Sequence, residues 1–317
     1  MSIALATLAA LPLAIAAAAA PATPRTFSDC ADCPEMVEIP AGTAMLGSTA
    51  EERARAGIVP IFGDREGPVY PVTFARPYAL SKTEVTRAQY RAFVEATNRP
   101  DPSACGNHDP EKDFWGPRPG FNWRKPGFEQ ADDHPVVCIG YDDAAAYAAW
   151  LSKKTGKPYR LPSDAEFEYA LRAGTSTPWY WGERGEDGCG IANMMSAGTV
   201  AKLGYPKSIA NRFICSTPRA FSLPVGSFPP NPFGLHDMVG NAFEWVADCN
   251  APDNSTAPAD GRARSTGDCG RHYLKGGAFH TPFWLTRSAV RGAPLAGDIR
   301  MFTMGIRLAR SLDPKGR

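Results

Sequence analysis

Cysteine is missing from the C-terminal part of this 317-residue sequence, because none follows Cys269. A soft, thiolate-bound metal site built from that part of the chain is therefore excluded. Net charge is also nearly absent, since 34 basic and 33 acidic residues leave a formal charge of +1. With no basic field to gather polyanions, we expect no nucleic-acid partner. Beyond Ala20 no apolar run is long enough to span a bilayer.

The first 20 residues are an apolar, alanine-rich run that ends in small residues, which is typical of a secretory signal peptide. The run lacks a basic start, so an uncleaved membrane anchor stays open, and we expect a membrane partner only in that case. Residues 21–33 are predicted to be a short leader. The expected location is the periplasm or the extracellular medium.

Eight cysteines form an even set in a chain that is predicted to be exported, which favours disulfides. We predict pairs between sequence neighbours, although eight cysteines allow 105 connectivities. A redox or zinc role for "CADC" is weaker, because no helix start and no second cysteine pair accompany it. The predicted pairs are Cys30–Cys33, Cys105–Cys138, Cys189–Cys215 and Cys249–Cys269.

Three stretches carry helix signals. In "TRAQYRAFVEATNRP" a capping box of Thr86 and Gln89 opens the helix, and in "LPSDAEFEYALRAG" Ser163 and Glu166 do the same. "DDAAAYAAWLSKKTG" is predicted to begin at an Asp cap and to end at Gly156. Residues 100–130 are predicted to be an ordered aromatic loop. Short strand-like pieces fill much of the rest, so we expect an irregular, loop-rich α+β fold stapled by disulfides.

Several blocks occur together in one order: "MVEIPAGTAMLGS", "SKTEVTRAQYRAFVEAT", "LPSDAEFEYALRAG", "GLHDMVGNAFEWVAD", "LKGGAFHT" and "MGIRLAR". In this set the chain resembles the formylglycine-generating enzyme family, also called the sulfatase-modifying factor family. The resemblance implies one domain over residues 34–310 with a C-type-lectin-like fold.

The same resemblance implies a chemistry that this sequence does not support. Formylglycine-generating enzymes bind Cu(I) through two cysteines that follow a "GGS" segment and oxidise a sulfatase cysteine with O2. Here the segment is "GGA" with Ala278, and the two cysteine positions fall near Thr281 and Thr286. A threonine hydroxyl is a hard, protonated group and a poor Cu(I) ligand. We therefore expect no bound copper.

Other catalytic candidates in this segment are weak. His280 and His272 are eight residues apart, which fits no ligand pattern, and hydrogen-bonded or surface histidines are the better interpretation. Arg287 is expected to be structural and to bind loop carbonyls or carboxylates. Whether the chain is an enzyme stays open; if it is one, the resemblance implies an oxidoreductase.

The resemblance also implies structural Ca²⁺. In the family the stretch that matches "GLHDMVGNAFEWVAD" binds the ion, which transfers here to Asp237, the carbonyls of Gly240 and Ala242, and Glu244. Such hard oxygen ligands suit calcium; a turn capped by Glu244 is the alternative. A second family site would begin at Asn193, or at Asn211 in another register, but its acidic partner falls near Ser216.

The expected function is recognition of a protein, peptide or small-molecule ligand in the family's substrate cleft, or a cysteine-independent oxidation there. Two alternatives remain open: a formylglycine-generating oxidase, and an oxidase that matures a chromophore of the pyoverdine type. A binding cleft should be lined by aromatic side chains such as Phe283 and Trp284. An oxidase should bring a histidine and a carboxylate together in that cleft.

Overall fold

Two antiparallel-rich sheets and five short helices make up most of the regular structure. The computed structural model describes residues 24–56, 65–109, 114–205 and 214–312. The predicted signal segment and Asn211 lie outside these ranges. The helices are α1 (Ala50–Arg55), α2 (Arg87–Thr97), α3 (Tyr141–Thr155), α4 (Asp164–Arg172) and α5 (Ala197–Leu203). The strands are β1 (Thr26–Phe27), β2 (Met36–Ile39), β3 (Gly42–Leu46), β4 (Tyr70–Phe74), β5 (Tyr78–Ser81), β6 (Ala104–Asp109), β7 (Phe114–Pro119), β8 (Tyr159–Arg160), β9 (Phe243–Asn250), β10 (Asp268–Lys275), β11 (Leu295–Ala296), β12 (Met304–Gly305) and β13 (Ala309–Ser311).

The larger sheet joins the two ends of the described chain. Its strand order is β1-β2-β5-β13-β8, and every pairing is antiparallel. The second sheet has the order β11-β10-β9-β12, with β12 parallel to β9. Because β1 pairs with β2, the leader residues 26–27 are part of the sheet. The remaining strands form the hairpins β3-β4 and β6-β7.

The predicted helix starts are largely confirmed. Thr86 opens α2 and Ser163 opens α4, each with a complete capping box. The Asp cap of α3 was wrong: Gly140 is the N-cap, and Asp143 sits three residues on, where its carboxylate accepts the Gly140 N–H at 3.1 Å. The C-cap of helix α4 is Ala173, which lies in the left-handed region.

The aromatic loop predicted over residues 100–130 contains a hairpin that the sequence analysis missed. Strands β6 and β7 pair from Ala104 opposite Pro119 onward. The proline and glycine content of β7 masks the alternation that normally predicts a strand, and such residues are tolerated at a sheet edge. The hairpin is held to the core by Cys105–Cys138.

All four predicted disulfides are confirmed: Cys30–Cys33, Cys105–Cys138, Cys189–Cys215 and Cys249–Cys269. No cysteine is left free. Structural disulfides persist in oxidising compartments, so this set indicates a non-cytoplasmic protein. Among the helices of the described ranges, none has the length and apolarity that a bilayer crossing requires.

The fold class is therefore the predicted one: mixed α+β, with much of the chain in ordered loops between short elements. Two hydrophobic clusters form its core. One surrounds α2, α3 and Trp245, and the other packs α4 between the two sheets around Phe167. The loops that follow β10 lie against this second cluster through Phe283. They carry the residues on which the functional question depends.

Candidate ligand-binding cleft

The two threonines at the family's copper positions converge on one glycine. Gly277 has φ +82°, and a β-carbon built on it would lie 2.8 Å from Thr286 Cγ2 and 3.5 Å from Thr281 Cβ. Only a residue without a side chain fits that turn. Thr281 and Thr286 thus lie close to the same glycine.

Both threonine hydroxyls are committed to local hydrogen bonds. Thr281 Oγ1 accepts the N–H of Ala278 at 2.9 Å. Thr286 Oγ1 accepts from Trp179 Nε1 at 3.1 Å and donates to the carbonyl of Phe283 at 2.8 Å. Both residues are buried. The locus is a packed, hydrogen-bonded turn without a thiolate, and every cysteine of the chain is in a disulfide.

A cleft of about 920 Å³ opens directly beside this turn. One wall is aromatic and consists of Trp179, Phe283 and Trp284. The Trp179–Thr286 hydrogen bond connects this wall to the turn that carries Thr281 and Thr286. A volume of this size is in the range of small-molecule and peptide side-chain sites. We refer to it below as the aromatic cleft.

Two segments that a disulfide joins also line the aromatic cleft. The 3-10 turn Gly185–Gly190 supplies Gly185 and Glu186, and Ile214 and Ser216 come from the other segment. Cys189 and Cys215 lie within these segments and are bonded to each other. The disulfide therefore fixes the distance between these two segments.

We expect Gly185→Ala to disturb the aromatic cleft. A β-carbon at this position would meet Phe283 Cβ at 2.5 Å and Trp179 Cζ2 at 3.0 Å, so the 3-10 turn must move away from the aromatic wall. The expected cost is about 1–3 kcal/mol of unfolding free energy, with a shift in tryptophan fluorescence. Gly190→Ala is the matched control, since its β-carbon meets nothing within 4 Å. Equal stability of the two variants would contradict this packing.

Arg287 lies at the floor of the aromatic cleft in a buried ion cluster. Its Nη1 and Nη2 donate to the two carboxylate oxygens of Glu66 at 2.8 and 2.7 Å, and Nη1 also reaches Glu52 at 3.1 Å. Its Nε donates to the carbonyl of Trp284 at 3.1 Å. These contacts agree with the structural role that the sequence predicted.

His280 and His272 are not among the residues that line the aromatic cleft. His280 packs among Phe243, Phe279 and Phe302, with ring centroids 5.5–6.0 Å apart. His272 stacks on Tyr141 at 3.4 Å, and its Nδ1 is 3.1 Å from the carbonyl of Asp248. The structure does not bring the two histidines into one site with a carboxylate.

Burial lowers the pKa of His280 to about 4. The folded state therefore binds fewer protons than the unfolded state between pH 4 and 6.5, and stability is lost as the pH falls through that window. We expect the stability advantage of the wild type over His280→Gln to shrink by about 1–3 kcal/mol from pH 7 to pH 4. Urea unfolding of both proteins at each pH measures this; an advantage that stays constant or grows would refute it.

The residues predicted to bind calcium lie around one buried arginine. Glu244 pairs with Arg307 through both carboxylate oxygens, at 2.7 and 2.9 Å. Asp237 accepts the N–H of Gly226 at 2.6 Å. Glu84, which the sequence analysis missed, belongs to the same cluster: its Oε1 accepts from Asn241 at 3.0 Å. Its buried Oε2 has no hydrogen-bond partner among the described residues.

This cluster contains an excess of acid. Burial raises the pKa of Glu244 to about 7 and, with the neighbouring carboxylates, raises that of Glu84; burial also raises that of Asp237. Three carboxyl groups share Arg307 as their buried cation, so either protons or a further cation must balance them. Gly240 and Ala242 lie in the intervening turn. Within the described ranges no group of three His, Cys, Asp or Glu side chains has the arrangement of a metal site.

Asn193 lies beside this turn instead of forming a separate acidic site. Its Nδ2 donates to Asn241 Oδ1 at 3.1 Å and to the carbonyl of Phe221 at 3.0 Å. Its carbonyl accepts the N–H of Asn241 at 2.8 Å. Ser216, the position of the missing acidic partner, lines the aromatic cleft. The side-chain amide of Asn193 thus supports the loop that carries Gly240.

Residues 22–312 match the sulfatase-modifying factor enzyme 1-like domain. The chain belongs to this family. It is 32% identical over 246 residues to a protein named formylglycine-generating enzyme from Mycobacterium tuberculosis, which covers 67% of this chain and 73% of that protein. It is 29% identical over 248 residues to a mouse protein named inactive C-alpha-formylglycine-generating enzyme 2, over 69% and 70% of the two chains.

Solved structures agree with the family assignment. PvdO from Pseudomonas aeruginosa superposes with a TM-score of 0.72 at 36% identity, over 91% of this chain and 98% of that one. Treponema denticola variable protein 1 reaches a TM-score of 0.64 at 19% identity, which shows a shared fold alone. The elaborated C-type-lectin-like fold expected from the sequence is consistent with these neighbours.

Sequence reasoning found one aromatic wall but missed Trp179, Glu52 and Glu66. Glu52 precedes the segment 57–64 and Glu66 follows it, and both are more than 200 residues from Arg287 along the chain. No local pattern could pair them with it. The sequence analysis assigned no role to Trp179, although an aromatic residue among Gly, Pro and Thr residues in a loop is a signal of a binding site.

Proposed function

We propose that this family member is a ligand-binding protein whose aromatic cleft accepts a protein, peptide or small molecule, and that it does not perform copper-thiolate oxidation. The observation that supports this proposal is the turn with Thr281 and Thr286, which has two hydrogen-bonded hydroxyls in place of thiolates. Soft thiolates are what selects Cu(I). The four disulfides and the apolar N-terminal run support a periplasmic or secreted location.

A binding role is favoured over a cysteine-independent oxidation by the position of the histidines. His280 lies in a phenylalanine cage and His272 stacks on a tyrosine, and neither lines the aromatic cleft. The name of the mouse relative shows that the family includes a chain described as inactive. The scaffold can thus be retained without the oxidation.

The test is an oxidation assay with a sulfatase-derived cysteine peptide, Cu(I) and O2, followed by mass spectrometry. We expect no formylglycine from this protein, while the formylglycine-generating enzyme of M. tuberculosis serves as the positive control. Copper-dependent conversion of the peptide would overturn the proposal. O2 consumption with the peptide in the absence of copper would point to the cysteine-independent oxidase.

We also propose that the side chains of Asp237 and Glu244 hold a structural calcium ion together with the carbonyls of Gly240 and Ala242, with Glu84 as a neighbouring carboxyl group. The excess of buried carboxyl groups over the single cation Arg307 supports an oxygen-ligated cation. Arg307 already occupies both oxygens of Glu244, so an ion would share that carboxylate.

Calcium removal should then destabilise the protein. We expect the melting temperature to fall in a calcium chelator and to return when Ca²⁺, but not Mg²⁺, is restored, because a ligand that binds only the native state stabilises it. Differential scanning calorimetry and elemental analysis measure both effects. If the chelator does not change the melting temperature and the purified protein contains no calcium, the calcium proposal is wrong, and protons balance the charge of the carboxylates.

A further inference from the structure

Six charged side chains line the aromatic cleft, and their pairing is uneven. Arg184 and Glu186 bind each other at 2.8 Å on the exposed rim. Arg55 and Glu183 are also exposed, carry opposite charges, and are screened by solvent. The charges at the floor are Arg287, which is buried, and Glu52, which is partly buried, and they decide which ligand charge the cleft accepts.

The guanidinium of Arg287 uses four of its five N–H donors within the protein, and its side chain has no solvent-exposed surface through which a ligand could reach the fifth. It is fully buried, and its nitrogens donate to both oxygens of Glu66, to Glu52 and to the carbonyl of Trp284. An anionic ligand would have to displace one of these charge-assisted bonds. Nothing in this part of the floor recruits an anion.

Glu52 is the less satisfied of the two carboxylates. Arg287 approaches its Oε1 at 3.1 Å, whereas Glu66 takes two shorter bonds from the same guanidinium and one from Ser48 at 2.8 Å. The next cation, Arg172, is paired with Glu168. The side chain of Glu52 is 13% exposed and faces the cleft. Burial raises the pKa of Glu52, because Arg287 does not fully offset the loss of solvation of this carboxylate.

The wall next to this carboxylate is aromatic. Trp179 and Phe283 line the cleft as buried rings, and Trp284 is the partly exposed ring, which can attract apolar groups, aromatic rings and cations. Cationic ligands that also carry a ring match such a combination of a carboxylate and indole faces.

We propose that the aromatic cleft binds a ligand that joins an ammonium or guanidinium group to an aromatic or apolar group. The cation lies at Glu52, and the apolar group lies against Trp179, Phe283 and Trp284. This inference rests on the proposed binding function and specifies its ligand class. A free amine and a peptide with a basic side chain share this chemistry.

Three matched probes test the charge: 2-phenylethylammonium, neutral 2-phenylethanol and anionic 3-phenylpropionate, titrated into the mature protein by calorimetry and tryptophan fluorescence. The cation should bind about 10-fold more tightly than the neutral probe, and the anion more weakly than both. Acetyl-Lys-Trp-amide distinguishes the source: tighter binding than the free amine indicates a peptide ligand, and weaker binding indicates a small amine.

Variants locate the binding groups. Glu52→Gln should remove the roughly 10-fold preference for the cation and leave 2-phenylethanol unchanged, whereas Trp284→Ala should weaken all probes. Glu183→Gln, on the exposed rim, is the matched control and should change the preference less than about 2-fold. If Glu52→Gln does not fold, the charge preference of the wild type carries the test.

Absence of a cation preference in the wild type, or a preference that survives Glu52→Gln, would overturn this inference. So would failure of all probes to bind. Equal binding of charged and neutral probes would leave the binding function standing and remove only the ligand class. Formation of formylglycine in the oxidation assay would instead remove the binding function itself.

Discussion

The double variant Thr281→Cys/Thr286→Cys is expected to bind Cu(I), whereas the wild type is not. Both side chains lie near Gly277, so we expect two thiolates introduced there to come close enough to share one ion. Replacing two hard hydroxyls by soft thiolates should raise Cu(I) affinity at least about 1,000-fold, equivalent to about 4 kcal/mol. Competition with a colorimetric Cu(I) chelator under anaerobic conditions measures the change.

The control is the variant Thr281→Ser/Thr286→Ser, which keeps both hydroxyls and should resemble the wild type. Free-thiol titration must show two thiols per chain in the cysteine variant, because the new pair can also oxidise. If that variant has both thiols free and still binds no copper, the convergence of the two positions is not sufficient for a site. If the wild type binds copper stoichiometrically, the chemical exclusion fails.

Arg307→Met is expected to destabilise the protein by about 3–5 kcal/mol, because it leaves buried carboxylates without their cation. The wild-type guanidinium binds both oxygens of Glu244 and the carbonyls of Ser81 and His236, at 2.7–2.9 Å. Urea unfolding measures the loss. Arg25→Met is the matched control: Arg25 pairs with Glu38 at the surface and should cost less than about 1 kcal/mol.

The loss should depend on pH in a defined direction. The pKa of Glu244 is raised to about 7, so acidification protonates the cluster and removes the uncompensated charge. The stability difference between wild type and Arg307→Met should therefore shrink as the pH falls from 8 to 5. A difference that is constant with pH would mean that Arg307 acts by packing alone. Millimolar Ca²⁺ should reduce the difference if the ion binds there.

Local signals in the sequence predicted local structure well. The capping boxes at Thr86 and Ser163 placed two helix starts correctly, because the groups that satisfy the first N–H donors lie within one turn. The predicted start of α3 was wrong. Two acidic residues lie near the N-terminus of this helix, and only the backbone conformation decides that Asp143 accepts the Gly140 N–H from inside the helix. The β6-β7 hairpin was missed because the proline and glycine residues of β7 mask the alternation that normally predicts a strand.

The cysteine pattern predicted the correct disulfides, because cysteines that are neighbours in the sequence close short loops. It could not indicate that Cys189–Cys215 fixes a wall of the aromatic cleft. Similarly, Asp237 and Glu244 were found by resemblance to a family motif, whereas Glu84 joins them from a segment more than 150 residues away. Long-range polar partners leave no periodic signal in one sequence.

By itself, the sequence determined the family, the α+β fold class, the cysteine pairs and the absence of a thiolate pair after Cys269. These depend on residue identity and order, which the chain states directly. Only the tertiary structure decided that Thr281 and Thr286 face one glycine, that the histidines lie away from the cleft, and that Glu52 is left under-compensated at its floor. Those properties depend on distances, on burial and on the competition of two carboxylates for one guanidinium. A charged group needs a partner of opposite charge only after folding has removed it from water, so the sequence alone does not show which groups are short of one.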